Sequence, residues 1–284
     1  MPPFVQQWKL KTTTLNFTAK RPAIMGIVNV TPDSFSDGGR HNDTESAVAH
    51  ALQLVEQGAD ILDVGGESTR PYSDPVSVED ELQRTIAVVT AIAKETHIPI
   101  SIDTSKPAVA RQAIDSGAQI INDVTGLQDP EMVRVAVESG AGVCAMHMQG
   151  TPQTMQDKPQ YENVVHEILD YLMQRKQQLI QHGIQPERIC LDPGIGFGKT
   201  HQHNLELLAK VQRFHETDCP ILVGHSRKGF IKKFSDDQTP QRVPGTLAVS
   251  LWLAQAGVQI IRVHDVLETR QALQMQQAID QQCG

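Results

Sequence analysis

The chain has 284 residues, enough for one large α/β domain, and carries 25 Lys and Arg against 33 Asp and Glu, a net charge of −8. That balance excludes a general attraction to phosphate backbones, so neither a nucleic acid nor an anionic membrane is expected as a partner, and a bound anion must meet a few local basic residues. The cysteines Cys144, Cys190, Cys219 and Cys283 show no CxxC spacing, and two lie inside apolar runs where a thiol acts as a small hydrophobe, which suits a reducing cytoplasm.

The start, MPPFVQQWKLK, has no apolar segment after a basic one, so no secretory signal is expected. Residues 8–17 (WKLKTTTLNF) alternate as a short hairpin does, and we read residues 1–22 as a plug for the domain at 23–284. Short apolar runs then alternate with helical periodicity. The run ending at Asn29 is followed by a helix over 44–57, with Ala47, Ala51, Leu54 and Val55 on one face and Gly58 as its stop. ILDVGGESTR precedes a helix over 77–96 that opens with a capping-box pattern, Ser77 with a carboxylate three positions on. IPISID leads to a helix opened by Pro107 and closed by Gly117, and IIND to one over 131–139. GVCAM, RICLD and PILVG follow, with helices over 162–182 and 204–214 between them.

The uncharged stretch 243–261 is long enough to cross a bilayer, but Pro244, Gly245, Gln255, Gly257 and Gln259 argue against it. It divides instead into a buried helix of about ten residues (TLAVSLWLAQ) and a strand (VQIIRVH), before a last helix from Val266 onward. The charged segment 232–242 reads as a solvated connection. Strand then helix recurs eight times, which predicts a single (β/α)8 barrel of the TIM type with a short N-terminal β-hairpin. A doubly wound open sheet is disfavoured, because no Gly-rich dinucleotide turn follows the first strand and the polar clusters continue to the last one. Parallel strands send all of those clusters to one end of the barrel.

Asp192-Pro193-Gly194-Ile195-Gly196-Phe197-Gly198-Lys199-Thr200 has the glycines of a phosphate loop but neither of its spacings. Asp192 alone is equally a turn former or cap. Asp103 and Asn122 end neighbouring strands in the same way, and converging carboxylate and carboxamide groups are costly unless a ligand pairs with them. They suit a flat heterocycle with N–H donors beside a carbonyl, for which Lys228 is a candidate donor, though a solvated surface lysine is an equally common outcome for that residue type. Arg262 interrupts a strand and His264 points to the same side, so a phosphate or diphosphate fits there. Asn29 is a candidate for a Mg2+ ligand that leaves the ion most of its waters, though a turn asparagine is the commoner outcome for that residue type. His201 and His203 share a loop without metal-ligand spacing and read as solvated, while His147 reads as a satisfied core histidine. No Gly-x-Ser-x-Gly elbow supports serine nucleophile chemistry.

The strings MGIVNVTPDSFSDGG, DVGGESTRP, SIDTSKP, INDV, MHMQGTPQTMQ, LDPGIGFGK, SRK and IIRVHDV, in order between residues 25 and 266, resemble the dihydropteroate synthases of the folate pathway. The resemblance implies a cytoplasmic homodimeric transferase, the target of sulfonamides. It joins 6-hydroxymethyl-7,8-dihydropterin diphosphate to p-aminobenzoate with Mg2+ as cofactor. By that pattern Asp33, Arg70, Asp103, Lys228 and Arg262 carry catalysis, and Asp103, Asn122, Met146, Asp192, Phe197 and Lys228 hold the pterin. Phe35, Thr69, Arg70, Pro71 and Ser226 face p-aminobenzoate. Asn29, Arg70, Arg262 and His264 meet diphosphate, with Asn29 also on the metal.

Tyr72, His225 and Gly229 depart from the family pattern; Tyr72, on the loop after GGESTRP, puts p-aminobenzoate affinity and sulfonamide response in doubt while leaving pterin binding intact. Two other readings compete. A methyltetrahydrofolate:corrinoid methyltransferase shares the pterin carboxylates but does not need the SRK and RVHD residues. A non-catalytic pterin-binding paralogue would not need Asn29, Arg70, Lys228 and Arg262 together.

Overall fold

Eight apolar runs become the parallel strands β3 (Ala23–Asn29), β4 (Ile61–Gly65), β5 (Ile100–Asp103), β6 (Ile120–Asp123), β7 (Gly142–Met146), β8 (Ile189–Asp192), β9 (Leu222–Gly224) and β10 (Ile260–Val263), after the antiparallel pair β1 (Gln7–Lys9) and β2 (Thr14–Asn16). This is the fold of a computed structural model that describes residues 4–30, 39–69, 73–235 and 237–282, with side chains of the second segment from residue 44. The sheet order is β8-β7-β6-β5-β4-β3-β10-β9. A bridge between Leu191 and Ile221 links its two ends, with Leu191 N donating to Pro220 O at 3.0 Å, so the sheet closes into a barrel. Strands covered on both faces are expected to be almost continuously apolar, and runs such as Ile61–Gly65 are buried throughout.

The surrounding helices are α1 (Gly39–Gln57), α2 (Val78–Glu95), α3 (Pro107–Asp115), α4 (Pro130–Ser139), α5 (Val164–Gln181), α6 (His201–Ala209), α7 (Gly229–Ser235), α8 (Val243–Gln255) and α9 (Val266–Asp280). Ser77 caps α2 as its sequence predicts, accepting from Asp80 N. Asp129 caps α4 and left-handed Gly140 ends it.

Four local expectations change. The helix expected over 204–214 starts at His201 and gives way after Ala209 to a 3-10 segment, Val211–Thr217. His201 and His203 are therefore in a first helical turn and not in a loop, and His203 completes a capping box by accepting from Thr200 N at 3.3 Å. The segment 232–242 is largely exposed, as expected, but residues 229–235 form α7, so Lys232 and Lys233 are helical, and the half-buried Arg242 donates to the Arg227 carbonyl. α8 is longer than expected and only partly buried, with Trp252 53% exposed. The 243–261 stretch does break at Gly257, where φ is +80°, and no described helix is long and apolar enough to cross a membrane.

The hairpin lies against the amino-terminal ends of the barrel strands. Trp8, Leu10 and Phe17 form one buried cluster with Met25, Ile61, Ile120, Cys144, Cys190, Leu222 and Ile260. Because side chains alternate along a strand, the residues two and four positions further on also point inward. Asp63 and Gly65 stand above Ile61, Asn122 above Ile120, Met146 above Cys144, Asp192 above Cys190, and Arg262 above Ile260. An apolar floor therefore supports a polar layer that opens at the carboxyl ends of the strands.

Candidate active site

Arg262 crosses the centre of that polar layer. Its Nε donates to Asp63 Oδ2 at 2.5 Å and its Nη2 to Asp103 Oδ2 at 2.7 Å. The anionic partners expected for an arginine in a buried strand are thus, in this structure, two protein carboxylates. Asn122 Nδ2 lies 3.2 Å from the same Asp63 oxygen that meets Arg262. Burial opposes the charge on Arg262, yet Asp63 and Asp103 outweigh it and raise its pKa. Burial also pushes the Asp103 carboxyl up to about 7, against the pull of Arg262 and with the help of Asp63, Glu81 and Asp123.

Asp192, Lys228 and Phe197 meet on the other side of the layer. Asp192 is buried and accepts from Gly194 N at 2.6 Å, and its pKa is raised by burial against the influence of Lys228. Burial pushes Lys228 down to about 7, opposed by Asp192. Its Nζ donates to the Ile195 carbonyl and sits 4.5 Å from the centre of the Phe197 ring. Met146 pairs in register with Asp192 and is buried beside it. Asp103, Asn122, Met146, Asp192, Phe197 and Lys228, the six residues expected around the pterin, therefore belong to one mouth.

The loops after β9 and β10 are joined by two contacts. Ser226 Oγ accepts from His264 N at 3.2 Å and lies 3.0 Å from His264 Nδ1. Arg227 grips Asp265 with two N–H groups, at 2.5 and 3.2 Å. Asn29 ends β3 level with Gly65, which is itself level with Asp103. Thr69 is half-buried on the loop after β4. Asp33, Phe35, Arg70, Pro71 and Tyr72 lie outside the described residues.

Several residues around the mouth were not singled out from sequence. Asp63 is one; a lone carboxylate in the apolar run ILDVG was its signal. Lys106 is another, with Nζ 2.5 Å from both Glu67 and Glu81, while Glu67 Oε1 accepts from Val76 N at 2.9 Å. This ties both ends of the loop that carries Thr69 to the start of α3. Lys199 is buried and donates to His147 Nδ1, His147 O and Phe197 O at 3.0, 3.3 and 2.7 Å. His147 is the satisfied core histidine expected, held down to about 3 by burial and by Lys199.

The glycines of the Asp192 loop serve close packing. Gly194 has φ +69° and a Cβ there would stand 2.0 Å from His147 O, so no other residue fits. His225 is fully buried with Nε2 2.9 Å from Ser250 Oγ and 3.2 Å from Thr246 O, which explains a polar residue at that place. Burial lowers its pKa to about 4 and keeps it neutral. At Gly229 an added Cβ would meet, among the described residues, only His201, at 3.7 Å. A separate groove of about 800 Å³ is lined by Tyr161, Asn163, His166, Thr200 and His203. None of the described residues expected at the site lies there.

Comparison with known proteins gives the same picture. Residues 25–264 match the family described as pterin binding enzyme. The chain is 48% identical over 270 residues to the dihydropteroate synthase of Escherichia coli K12, covering 95% of this chain and 96% of that one. It is 44% identical over 257 residues to the dihydropteroate synthase of Haemophilus influenzae, covering 90% and 94%. Among solved structures, Xanthomonas albilineans dihydropteroate synthase with 4-aminobenzoic acid superposes with a TM-score of 0.91 at 44% identity, over 97% of this chain and 98% of that one. The same enzyme in complex with 7,8-dihydropteroate gives 0.87 at 42% identity, over 96% and 98%. With fold, strand-end chemistry and full-length similarity in agreement, this chain belongs to the pterin-binding enzymes, as a member of their dihydropteroate synthase family.

Proposed function

We propose that the mouth described above condenses 6-hydroxymethyl-7,8-dihydropterin diphosphate with p-aminobenzoate, giving 7,8-dihydropteroate and diphosphate. The observation that carries this reading is the convergence of Asp103, Asn122, Asp192 and Lys228 with Arg262 on one polar layer, acceptors and donors for a flat ring beside a cation for an anion. The methylene C–O bond breaks and its electron pair leaves with diphosphate. The arylamine lone pair forms the new C–N bond, and its proton passes to solvent or to the departing diphosphate. Catalysis then depends on stabilising the leaving group and the cationic methylene more than on a strong base. Arg262 and His264 meet the diphosphate, and Asp103 and Asp192 accept ring N–H groups and spread the positive charge. Ser226, Thr69, Arg70, Pro71 and Phe35 shape the aminobenzoate side, with Asp33 assisting.

Mg2+ belongs to the same proposal. Among the described residues no three His, Cys, Asp or Glu side chains group as a metal cage. A single carboxamide, Asn29 at the end of β3, suits an ion that keeps most of its waters and shares phosphate oxygens. When bound, the ion would neutralise charge on the leaving diphosphate.

We also infer that the chain forms a homodimer. Trp252 on α8 and Phe234 on the adjoining α7, both large apolar side chains, are 53% and 52% exposed, and a second copy would cover them. The whole reading is tested by supplying the purified protein with Mg2+ and both substrates. Dihydropteroate should form, and Asp103→Ala or Arg262→Ala should lose about 10² to 10³ of the rate. A folded wild type that makes none would refute the reaction.

A further inference from the structure

We propose that Asp63 is a positioning residue for this reaction, anchoring Arg262 by its Nε so that only Nη2 meets Asp103, and holding Asn122, so that one buried carboxylate sets the relative places of diphosphate and pterin. The inference rests on the reaction proposed above. Asp63 lies in the middle of β4, level with Ile27 and Ser101, one inward position below the mouth. It is 0% exposed and its strand neighbours Leu62 and Val64 are equally buried. From there it reaches Arg262 at 2.5 Å and Asn122 at 3.2 and 3.4 Å. It is a group beneath the site and not in it.

Packing does not ask for a charge at this place, since replacing a buried ion pair with well-fitting apolar groups is often neutral or stabilising. What Asp63 supplies is geometry. Arg262 rests on it through Nε, at the base of the guanidinium, while Nη2 at the far end touches Asp103. An arriving diphosphate competes with Asp103 for that far end, and the Nε contact keeps the guanidinium in place as the far end changes partner. Without Asp63, Arg262 is free to pair fork to fork with Asp103, the arrangement guanidinium and carboxylate prefer. That would occupy the carboxylate that the pterin N–H groups need.

The same change alters the charge around Asp103. Asp63 on β4, Glu81 on α2 and Asp123 on β6 push its pKa up, and Arg262 on β10 pulls it down. Lys228 after β9 also couples to it, and Asp192 on β8 acts on the same Arg262. Removing the Asp63 charge withdraws one upward influence and tightens the downward one. Both effects have the same sign, so Asp103 ionises at lower pH.

The test is a double-mutant cycle of Asp63→Asn and Arg262→Gln, read by turnover across pH and by calorimetric binding of the pterin diphosphate. Asp63→Asn should lower kcat/KM for the pterin substrate about tenfold to a hundredfold and leave KM for p-aminobenzoate within about twofold. It should also move the acid limb of that profile down by about one pH unit. In the Arg262→Gln background the further loss should be under about threefold, because the two residues act as one unit. An unmoved acid limb or fully additive losses would overturn the proposal. So would an Asp63→Asn chain that does not fold, since the carboxylate would then be holding the barrel together. Failure of the wild type to turn over counts against the reaction, and the binding cycle still decides the role of Asp63.

Discussion

Lys228 and Phe197 come from different strand-end loops, yet the Lys228 ammonium lies 4.5 Å from the centre of the Phe197 ring and donates to Ile195 O, two residues before it. The proposed donor to the pterin carbonyl is thus held by the loop that also supplies the wall of the slot. An ammonium over an aromatic face recovers part of the hydration it loses on burial. The remainder shows in its pKa, pushed down by burial to about 7, while burial lifts Asp103 to about 7.

These two shifts predict a narrow bell for kcat/KM of the pterin substrate, which reports groups of the free enzyme. Asp103 must be ionised to accept ring N–H groups, so activity falls as pH drops through its raised pKa. Lys228 must be protonated to donate, so activity also falls as pH rises through its lowered one. Initial rates between about pH 5 and 9 should peak near neutrality. Lys228→Arg should be slower but lack the alkaline limb, because a guanidinium does not deprotonate in that range. A broad plateau would count against both assignments.

Lys199 reaches no substrate in this reading, but its three N–H donors face His147 Nδ1, His147 O and Phe197 O. It joins the loop after β7 to the loop after β8 and sets where Phe197 stands. Lys199→Met strands two carbonyls, at a cost of about 1–3 kcal/mol. The thermal midpoint should fall by several degrees, about 2–4 °C per kcal/mol for a domain of this size. KM for the pterin substrate should rise more than KM for p-aminobenzoate, which steady-state kinetics on both substrates would separate from general damage.

The legible part of this site was the part written along strands. Asp103, Asn122, Asp192 and Arg262 end or interrupt apolar runs, and parallel topology alone brings them to one mouth. What was illegible depends on contacts between segments far apart in sequence. Nothing in SIDTSKP says that Lys106 meets Glu67 and Glu81, 39 and 25 residues away. His225 looked like an unexplained departure until α8 supplied Ser250 and Thr246. α7 was hidden because its seven residues, GFIKKFS, bury only Phe230 and Ile231, too few for a helical period to show. The start of α6 was hidden because a histidine takes the place usually held by Glu or Gln in a capping box.

The exposed Trp252 gives the self-association proposal a direct check. Its Nε1 donates to Leu208 O at 2.8 Å, which fixes the ring on the outer surface between α8 and α6. Light scattering should return about twice the 31.3 kDa of one chain. Trp252→Glu would place a charge on the face proposed to be covered by a second copy, and should shift the mass toward one chain. An unchanged mass in the variant would move the interface elsewhere, and a monomeric wild type would remove it.

The floor of the barrel makes the last prediction. Trp8 has no solvent exposure, and its indole N–H donates to Arg188 O at 2.9 Å while Arg188 Nη1 returns a bond to Leu10 O at 2.7 Å. The hairpin is therefore bound to the barrel by burial and by reciprocal hydrogen bonds, although β1 and β2 have only three residues each. A two-stranded hairpin of that size does not persist in water by itself, so its order comes from the strand ends it covers. Trp8→Ala opens a cavity beneath Met25, Cys144 and Ile260 and leaves the Arg188 carbonyl unpaired. It should cost about 3–5 kcal/mol, measured by chemical denaturation. Trp8→Phe keeps most of the buried area and loses chiefly the hydrogen bond, so about 1–2 kcal/mol is expected. Asn122, Asp192 and Arg262 stand two residues along their strands from this floor, and the indole N–H of Trp8 bonds to none of them, so kcat of the folded fraction should stay close to wild type in both variants. A Trp8→Phe enzyme that is stable but inactive would mean that the floor sets the height of the polar layer as well as its stability.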